Sequence, residues 1–206
     1  MSFYENHILP ALIGFACSQP QIMKQRRKLV PAAEGRVLEI GFGTGTNLGF
    51  YDPARVQRLF ALEPSQGMRR KARYAVAQSP LDIEWLDLPG EEIPLENNSV
   101  DTVVLTYAAC TIPGVAEALS QMRRVLKPGG RLLFSEHGAA PDPGVARWQR
   151  RIEPAWKPIA GGCHLTRKPD QMIAQAGFRI DHMETGYLPR SPKFAAFNYA
   201  GSARPA

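Results

Sequence analysis

Apolar and polar positions along this chain follow two alternating periods, and this alternation predicts an α/β fold. Short apolar runs typical of buried strands are separated by stretches in which apolar residues recur every three or four positions, as Val115, Leu119 and Met122 do. Strands that alternate with helices form βαβ units with right-handed crossovers. The predicted strands are Arg36–Ile40, Arg58–Glu63, Ile83–Leu86, Asp101–Thr106, Arg131–Glu136, Phe178–Tyr187 and Phe194–Gly201.

These runs predict a doubly wound, Rossmann-like sheet that is mostly parallel. The last two runs lack a helix between them, so we expect an antiparallel hairpin and one reversed strand at the end of the sheet. Helices are predicted around Asn47–Tyr51, from Ser65 onward and over Asp170–Ala176.

The 206 residues are enough for one domain with one core. The segment 1–30 is amphipathic, and we expect a helical lid or a packing helix there. The stretch 137–168 is rich in Pro, Trp and Gly, and it lies where an insertion on the substrate side of the sheet is expected.

A glycine-rich turn follows the first predicted strand, with the sequence Glu39-Ile-Gly-Phe-Gly-Thr-Gly45. Closely spaced glycines let backbone N–H groups approach a ligand. A dinucleotide fingerprint, G-x-G-x-x-G, would require glycine where Thr46 stands. Glu63, which ends the second strand, can accept hydrogen bonds from ribose hydroxyls in either cofactor class. The glycine spacing therefore favours S-adenosylmethionine (SAM) over a nicotinamide dinucleotide.

Four motifs in order resemble class I SAM-dependent methyltransferases. They are the glycine turn, Leu62-Glu-Pro-Ser65, Asn98-Ser-Val-Asp101 and Arg124-Val-Leu-Lys-Pro-Gly-Gly130. The resemblance implies SAM as cofactor and S-adenosylhomocysteine as product. The cofactor-binding residues that it implies are Glu39, Gly41, Phe42, Gly43, Thr44, Gly45, Asn47, Glu63, Pro64, Met68, Gly90, Glu91, Thr106 and Tyr107.

The same resemblance assigns parts of SAM to these residues. The glycine turn would hold the methionine moiety and Glu63 the ribose. Pro64 and Met68 would pack against adenine, and Thr106 and Tyr107 would face the methyl group. The position that often carries an adenine-binding Asp is Pro89 here. We therefore expect backbone groups near Gly90, or the side chain of Asp87, to meet the adenine amino group.

A narrower resemblance covers the insertion, through Glu136-His137, Trp148-Gln149, Pro154-Ala-Trp156 and Gly162-Cys-His-Leu-Thr-Arg167. These residues are similar to a small-molecule subgroup that includes the thiol methyltransferases of the mammalian endoplasmic reticulum. The similarity implies a small thiol as acceptor. Candidate acceptor-binding residues are Tyr107, His137, Trp156, Cys163 and His164.

No catalytic residue follows from the sequence. Cys163-His164 superficially resembles a nucleophile and its base, but methyl transfer from a sulfonium is a direct displacement without a covalent enzyme intermediate. No general base is evident, and a thiol acceptor with a pKa of about 8.5 does not require a strong one. Trp148 and Trp156 either wall an acceptor pocket or anchor the insertion to the sheet.

The three cysteines are scattered and form no CxxC pair, which argues against a disulfide framework or a metal site and fits a reducing, cytoplasmic location. The apolar stretch Ile8–Cys17 is too short for a membrane span. The net charge of +6 arises from clusters at Lys24–Lys28, Arg69–Arg73 and Arg147–Arg151. We interpret these clusters as solvated helix faces and expect no nucleic-acid partner.

Several alternatives remain open. The acceptor could be a phospholipid headgroup amine, RNA or protein, although Thr106-Tyr-Ala-Ala109 lacks the Asn/Asp-Pro-Pro-aromatic motif of enzymes that methylate nucleobase amino groups. The chain could also be a nicotinamide-dependent oxidoreductase, or a SAM-binding module without activity. The sequence leaves the oligomeric state undetermined.

Overall fold

The computed structural model describes residues 4–206, apart from the side chains of residues 5 and 6. Its α-helices are α1 (Leu9–Cys17), α2 (Pro20–Leu29), α3 (Gln66–Ala77), α4 (Val115–Val125), α5 (Pro143–Ile159), α6 (Pro169–Gln175) and α7 (Lys193–Ala196). Its strands are β1 (Gly35–Ile40), β2 (Val56–Leu62), β3 (Ile83–Leu86), β4 (Val100–Thr106), β5 (Leu126–His137), β6 (Phe178–Tyr187) and β7 (Phe197–Pro205). One π-helical turn, Tyr4–Ile8, precedes α1.

The strands form one sheet in the order β3-β2-β1-β4-β5-β7-β6. Strands β1 to β5 pair in parallel, and β7 runs antiparallel to both β5 and β6. The predicted doubly wound, mostly parallel sheet with one antiparallel strand in a C-terminal hairpin is confirmed.

The expected place of the reversed strand was wrong, because β7 lies inside the sheet and β6 takes the edge. Burial explains this order. β7 is mostly buried, whereas β6 is largely exposed and carries Arg179, His182 and Glu184. Charged side chains on an edge strand discourage pairing with other chains. Gly201 permits the close pairing with β6, since a Cβ there would lie 2.0 Å from the carbonyl oxygen of His182.

Three further elements differ from the prediction. The last strand begins at Phe197 rather than Phe194, because Lys193–Ala196 form the short helix α7 between β6 and β7. The insertion contains α5, a helix of 17 residues, which the sequence concealed because Pro154 and Pro158 lie within it. The helix predicted around Asn47–Tyr51 is a single 3₁₀ turn, Leu48–Phe50. By contrast, Ser65 caps α3 as predicted and accepts a hydrogen bond from the Met68 amide at 3.3 Å.

Both faces of the sheet are covered, so β1 sends alternate side chains into two separate apolar clusters. Leu38 and Ile40 pack on the face covered by α4, and Val37 packs on the face that also holds Phe42 and Tyr51. Strand order reverses at β1, which pairs with β2 on one side and β4 on the other. Ligands bind such sheets at the carboxyl ends of the strands beside this switch point.

Candidate active site

The glycine turn stands at this switch point, and its backbone conformation requires glycine. Gly41, Gly43 and Gly45 have φ angles of +67°, +61° and +78°, in the left-handed region that L side chains rarely adopt. At Gly41 a Cβ would also lie 2.5 Å from the Cβ of Ala108. The turn is held against β2 by hydrogen bonds from the amides of Gly41 and Phe42 to the carbonyl oxygen of Leu62, at 3.0 and 3.1 Å.

Glu63 joins the glycine turn to the start of α3. Its carboxylate accepts the amide N–H of Gly43 and that of Ser65, each at 2.8 Å. Burial raises the pKa of Glu63, and the two backbone hydrogen bonds oppose that rise. A carboxylate has about four acceptor positions, so two protein donors leave room for ribose hydroxyls.

A buried polar network lies behind the turn. Asn47 donates through Nδ2 to Oε1 of Glu39 at 2.9 Å and to Oγ1 of Thr106 at 3.0 Å. Tyr51 donates to the other oxygen of Glu39 at 2.7 Å. Burial raises the pKa of Glu39 to about 7, although these hydrogen bonds and Arg26 act in the opposite direction. The fold thus brings together Glu39, Asn47 and Thr106, three of the residues predicted to bind the cofactor.

Arg26 completes this network, and the sequence analysis missed it. Its Nη1 donates to Oδ1 of Asn47 and to Oγ1 of Thr106, both at 2.7 Å, and the residue is only 4% exposed. Its Nε is buried without a hydrogen-bond partner. Interpreting the whole Lys24–Lys28 cluster as a solvated face was therefore wrong for Arg26. The signal was present, because Arg26 lies four residues after Ile22 and four before Val30, on the apolar side of α2.

Tyr107 follows Thr106 at the end of β4 and has a φ of +55°. This conformation is strained for a residue other than glycine. The phenol donates to Oδ1 of Asn198 at 2.9 Å, and burial raises its pKa. The guanidinium of Arg26 lies 5.3 Å from the ring centre. Arg26 and Tyr107 therefore meet beside the network at the end of β4.

Three side chains considered for the cofactor site make contacts within the protein. Asp87 forms an ion pair with Arg69, using both carboxylate oxygens, and its contact with adenine stays a prediction. Glu91 accepts the amide of Gly114 at 2.7 Å, which fixes the loop before α4. The Phe42 ring packs edge-on against Trp85 at 5.1 Å between ring centres.

The other residues predicted here are arranged around the start of α3 and the glycine turn. Met68 is buried and Pro64 is exposed. Gly90 is buried against Ile112 and Ala118. The hydroxyl oxygens of Thr44 and Thr46 are 3.2 Å apart.

On the acceptor side, Cys163 is paired with a histidine from another segment. Its Sγ lies 3.2 Å from Nε2 of His137, at the end of β5. A hydrogen bond from the buried Cys110 thiol, followed by the contact with His137, lowers the pKa of Cys163 well below its usual range. The same contact between the two thiols raises the pKa of Cys110. The fold thus brings together Cys163 and His137, two of the candidate acceptor-binding residues.

The neighbouring pair Cys163-His164 does not form. His164 is turned to Glu153 of α5, with 3.2 Å between Nδ1 and Oε1, and Glu153 also accepts the amides of Leu165 and Thr166 at 2.8 Å. His164 therefore holds the loop after α5 in place.

The two tryptophans of the insertion differ in burial. Trp156 packs edge-on against Phe194 at 5.5 Å between ring centres, and its indole nitrogen is buried without a hydrogen-bond partner. Trp148 is 53% exposed, so it does not line a buried pocket.

The N-terminal segment lies over both halves of the site. A Cβ at Gly14 of α1 would lie 3.5 Å from Cγ2 of Thr44 in the glycine turn. Tyr4 donates to the carbonyl oxygen of Ile159 at the end of α5, at 2.6 Å. Helix α2 packs against β5 and β7 and carries Arg26 inward. The N-terminal segment therefore contacts both the cofactor loop and the insertion.

Comparison with known proteins agrees with this arrangement. Residues 38–134 match a methyltransferase domain family. The chain is 37% identical over 155 residues to thiol S-methyltransferase TMT1B of Rattus norvegicus, covering 73% of this chain and 63% of that protein. It is 31% identical over 161 residues to thiol S-methyltransferase TMT1A of Homo sapiens, covering 75% and 65%. The chain thus spans just under two thirds of these relatives.

The fold has close counterparts among solved structures. A SAM-dependent methyltransferase from Mesorhizobium loti superposes with a TM-score of 0.66 at 19% identity, over 90% of this chain and 98% of that one. The chain belongs to the class I SAM-dependent methyltransferases, and its cofactor is SAM. Within that class it is similar to the thiol S-methyltransferases just named. Across residues 4–206, no helix has the length and apolar character that a membrane crossing needs.

Proposed function

We propose that this protein transfers the methyl group of SAM to the sulfur of a small thiol. The observation that carries the proposal is the position of the acceptor side. Cys110, His137 and Cys163 lie close together, and Ala108, in the same loop as Cys110, packs against Gly41 of the cofactor loop. The similarity to two thiol S-methyltransferases supports the same acceptor.

The proposed cofactor site carries charges opposite to those of the amino-acid part of SAM. The amino-acid part of SAM carries a carboxylate and an ammonium group. The buried Nε–H of Arg26 has no partner in the protein and supplies a donor for the carboxylate. Glu39 supplies an acceptor for the ammonium group, and Glu63 binds the ribose with its remaining lone pairs.

The reaction needs alignment more than activation. The acceptor sulfur forms a bond to the methyl carbon, the bond between that carbon and the sulfonium breaks, and its electron pair stays on S-adenosylhomocysteine. The thiol proton leaves to solvent. Because the sulfonium is already activated, the protein contributes orientation and exclusion of water. We assign that exclusion to the N-terminal segment, which lies over Thr44 and over the end of α5.

We place this activity in a reducing compartment and propose the cytoplasm. The support is that Cys17, Cys110 and Cys163 are all free thiols, as expected where disulfides are disfavoured.

An acceptor screen that detects S-adenosylhomocysteine tests the proposal. We expect turnover with small alkyl or aryl thiols and none with RNA, protein or phospholipid headgroup amines. Turnover restricted to one of those other classes would contradict the thiol assignment. Tight SAM binding without turnover on any acceptor would identify a binding module instead.

A further inference from the structure

Three side chains of types that can bind metal ions lie close together beside the proposed acceptor site, although they come from distant parts of the chain. Cys110 lies in the loop after β4, His137 ends β5, and Cys163 lies in the loop after α5. Their ligand atoms all lie within 4.8 Å of one another. Both cysteines are buried, at 5% and 7% exposed. The cluster is therefore a property of the tertiary fold.

Hydrogen bonds between the three segments hold the cluster in place. The amide of His164 donates to the carbonyl oxygen of Cys110 at 2.9 Å, which joins the first and third segments. Arg167 donates to the carbonyl oxygens of Ala109 and Ile112. The amide of Ala108 donates to Glu136 at 2.8 Å, which joins the first segment to the second. These contacts position the donors independently of any contact between them.

The donor set is that of a zinc site with one open position. Thiolate sulfur and imidazole nitrogen are the usual ligands of zinc, and catalytic zinc sites combine three protein ligands with a fourth exchangeable one. Among the residues that the structure describes, no carboxylate, further histidine or third cysteine completes the set. Ideal Zn–S and Zn–N bonds separate tetrahedral ligands by about 3.6 Å, close to the 3.2 Å between Cys163 Sγ and His137 Nε2.

Building on the thiol acceptor proposed above, we propose that Cys110, His137 and Cys163 bind a zinc ion whose fourth position receives the acceptor thiol. This replaces the expectation from the sequence that the chain has no metal site. The cysteines are scattered in the sequence, which does not show that two of them meet His137 in the folded chain.

Zinc at this position removes the need for a general base. The acceptor binds through sulfur and releases its proton to solvent, because a coordinated thiol is deprotonated. The sulfur then uses an electron pair to form the bond to the methyl carbon of SAM, and the sulfonium bond breaks as described. The methylated product is a neutral thioether and a weaker ligand, so it can leave the zinc.

Metal analysis of the purified full chain, kept reduced, tests the site. We expect about one zinc per chain in the parent and in a control variant, His182→Asn, at an exposed histidine on β6. Cys163→Ser and His137→Asn should lose most of the metal. Because either variant could fail to fold, the parent is also loaded with Co²⁺, which should show sulfur-to-metal absorption that shifts when a small thiol is added. Metal-free parent protein that binds neither zinc nor Co²⁺ overturns the inference.

Two further readouts separate this inference from the proposed function. If zinc activates the thiol, kcat at saturating thiol, which reports the bound state, should level off well below pH 8.5, the approximate pKa of a free thiol. A rise that continues to that pKa contradicts activation by zinc. Thiol methylation by metal-free protein would overturn the metal site and leave the proposed function standing. Stoichiometric zinc together with turnover on amines alone would overturn the proposed function and leave the metal site standing.

Discussion

Nη1 of Arg26 lies 2.7 Å from Oγ1 of Thr106, which places a cation from the N-terminal helix α2 at the end of the central strand β4. The same nitrogen donates to Asn47, which in turn binds Glu39. The N-terminal segment is thus connected to the cofactor site through hydrogen bonds of the buried Arg26 side chain. Loss of the Arg26 side chain should therefore lower the free energy of unfolding.

Replacement of Arg26 by alanine should lower the free energy of unfolding by about 3 kcal/mol. It leaves the side-chain oxygen of Asn47 without its donor, takes one of two donors from Thr106 and removes the cation beside buried Glu39. Breaking buried charge networks typically has this cost. Urea denaturation at pH 7.5 measures the effect. Lys24→Ala, on the exposed side of α2, should change stability by less than about 0.5 kcal/mol. Equal effects of the two variants would show that Arg26 is not part of the network.

Glu39 should make stability depend on pH. Burial raises its pKa to about 7 from the ordinary value of 4.5, so the folded state holds the proton more tightly than the unfolded state. The stability that this proton contributes is present at low pH and is lost as pH rises through 7. Between pH 5 and pH 8, the free energy of unfolding of the parent should fall by about 2–3 kcal/mol relative to Glu39→Gln. Parallel curves for the two proteins would contradict the raised pKa.

Gly43→Val should abolish the thermal stabilisation that SAM gives the parent protein. The φ of +61° at Gly43 is strained for a β-branched residue by about 1–3 kcal/mol, so the turn would change shape. Differential scanning fluorimetry with and without SAM measures the shift. Gly144→Ala is the control, because a Cβ at Gly144 meets nothing within 4 Å. A full SAM-dependent shift in Gly43→Val would mean that the turn does not bind the cofactor.

Glu63→Ala should weaken SAM binding by about 1.5–3 kcal/mol, or roughly tenfold to a hundredfold in Kd. The variant loses the charge-assisted bonds to ribose and frees the amide of Gly43, which Glu63 holds at 2.8 Å. Titration calorimetry compares it with Glu84→Ala, an exposed glutamate on β3 that should leave Kd unchanged. Unchanged affinity in folded Glu63→Ala would remove the residue from the site.

Local pattern was enough for the parts of the site that lie within one motif. The glycine spacing at 41, 43 and 45 and the acidic end of β2 depend on a single strand–turn unit, so Glu63 and Gly43 could be placed from sequence. The apolar runs of β1 and β4 likewise predicted a sheet covered on both faces.

The rest depends on contacts between distant segments. Arg26 and Thr106 are 80 residues apart, and the charge pattern of α2 alone suggested a solvated arginine. Cys163 has His164 beside it in sequence, yet its partner is His137, 26 residues earlier. Helix α5 was missed because Pro154 and Pro158 are breakers by local propensity, although the amphipathic face of this helix packs on the domain.

The account is tested most directly by matched acceptors and labelled cofactor. The protein is incubated with SAM carrying a deuterated methyl group and, separately, phenylmethanethiol, phenylmethanol and phenylmethylamine, which differ only in the accepting atom. Mass spectrometry should detect the deuterated methyl thioether with S-adenosylhomocysteine in equal amounts, and no methylated alcohol or amine. Methylated amine or alcohol without thioether would contradict the central claim that the acceptor atom is sulfur.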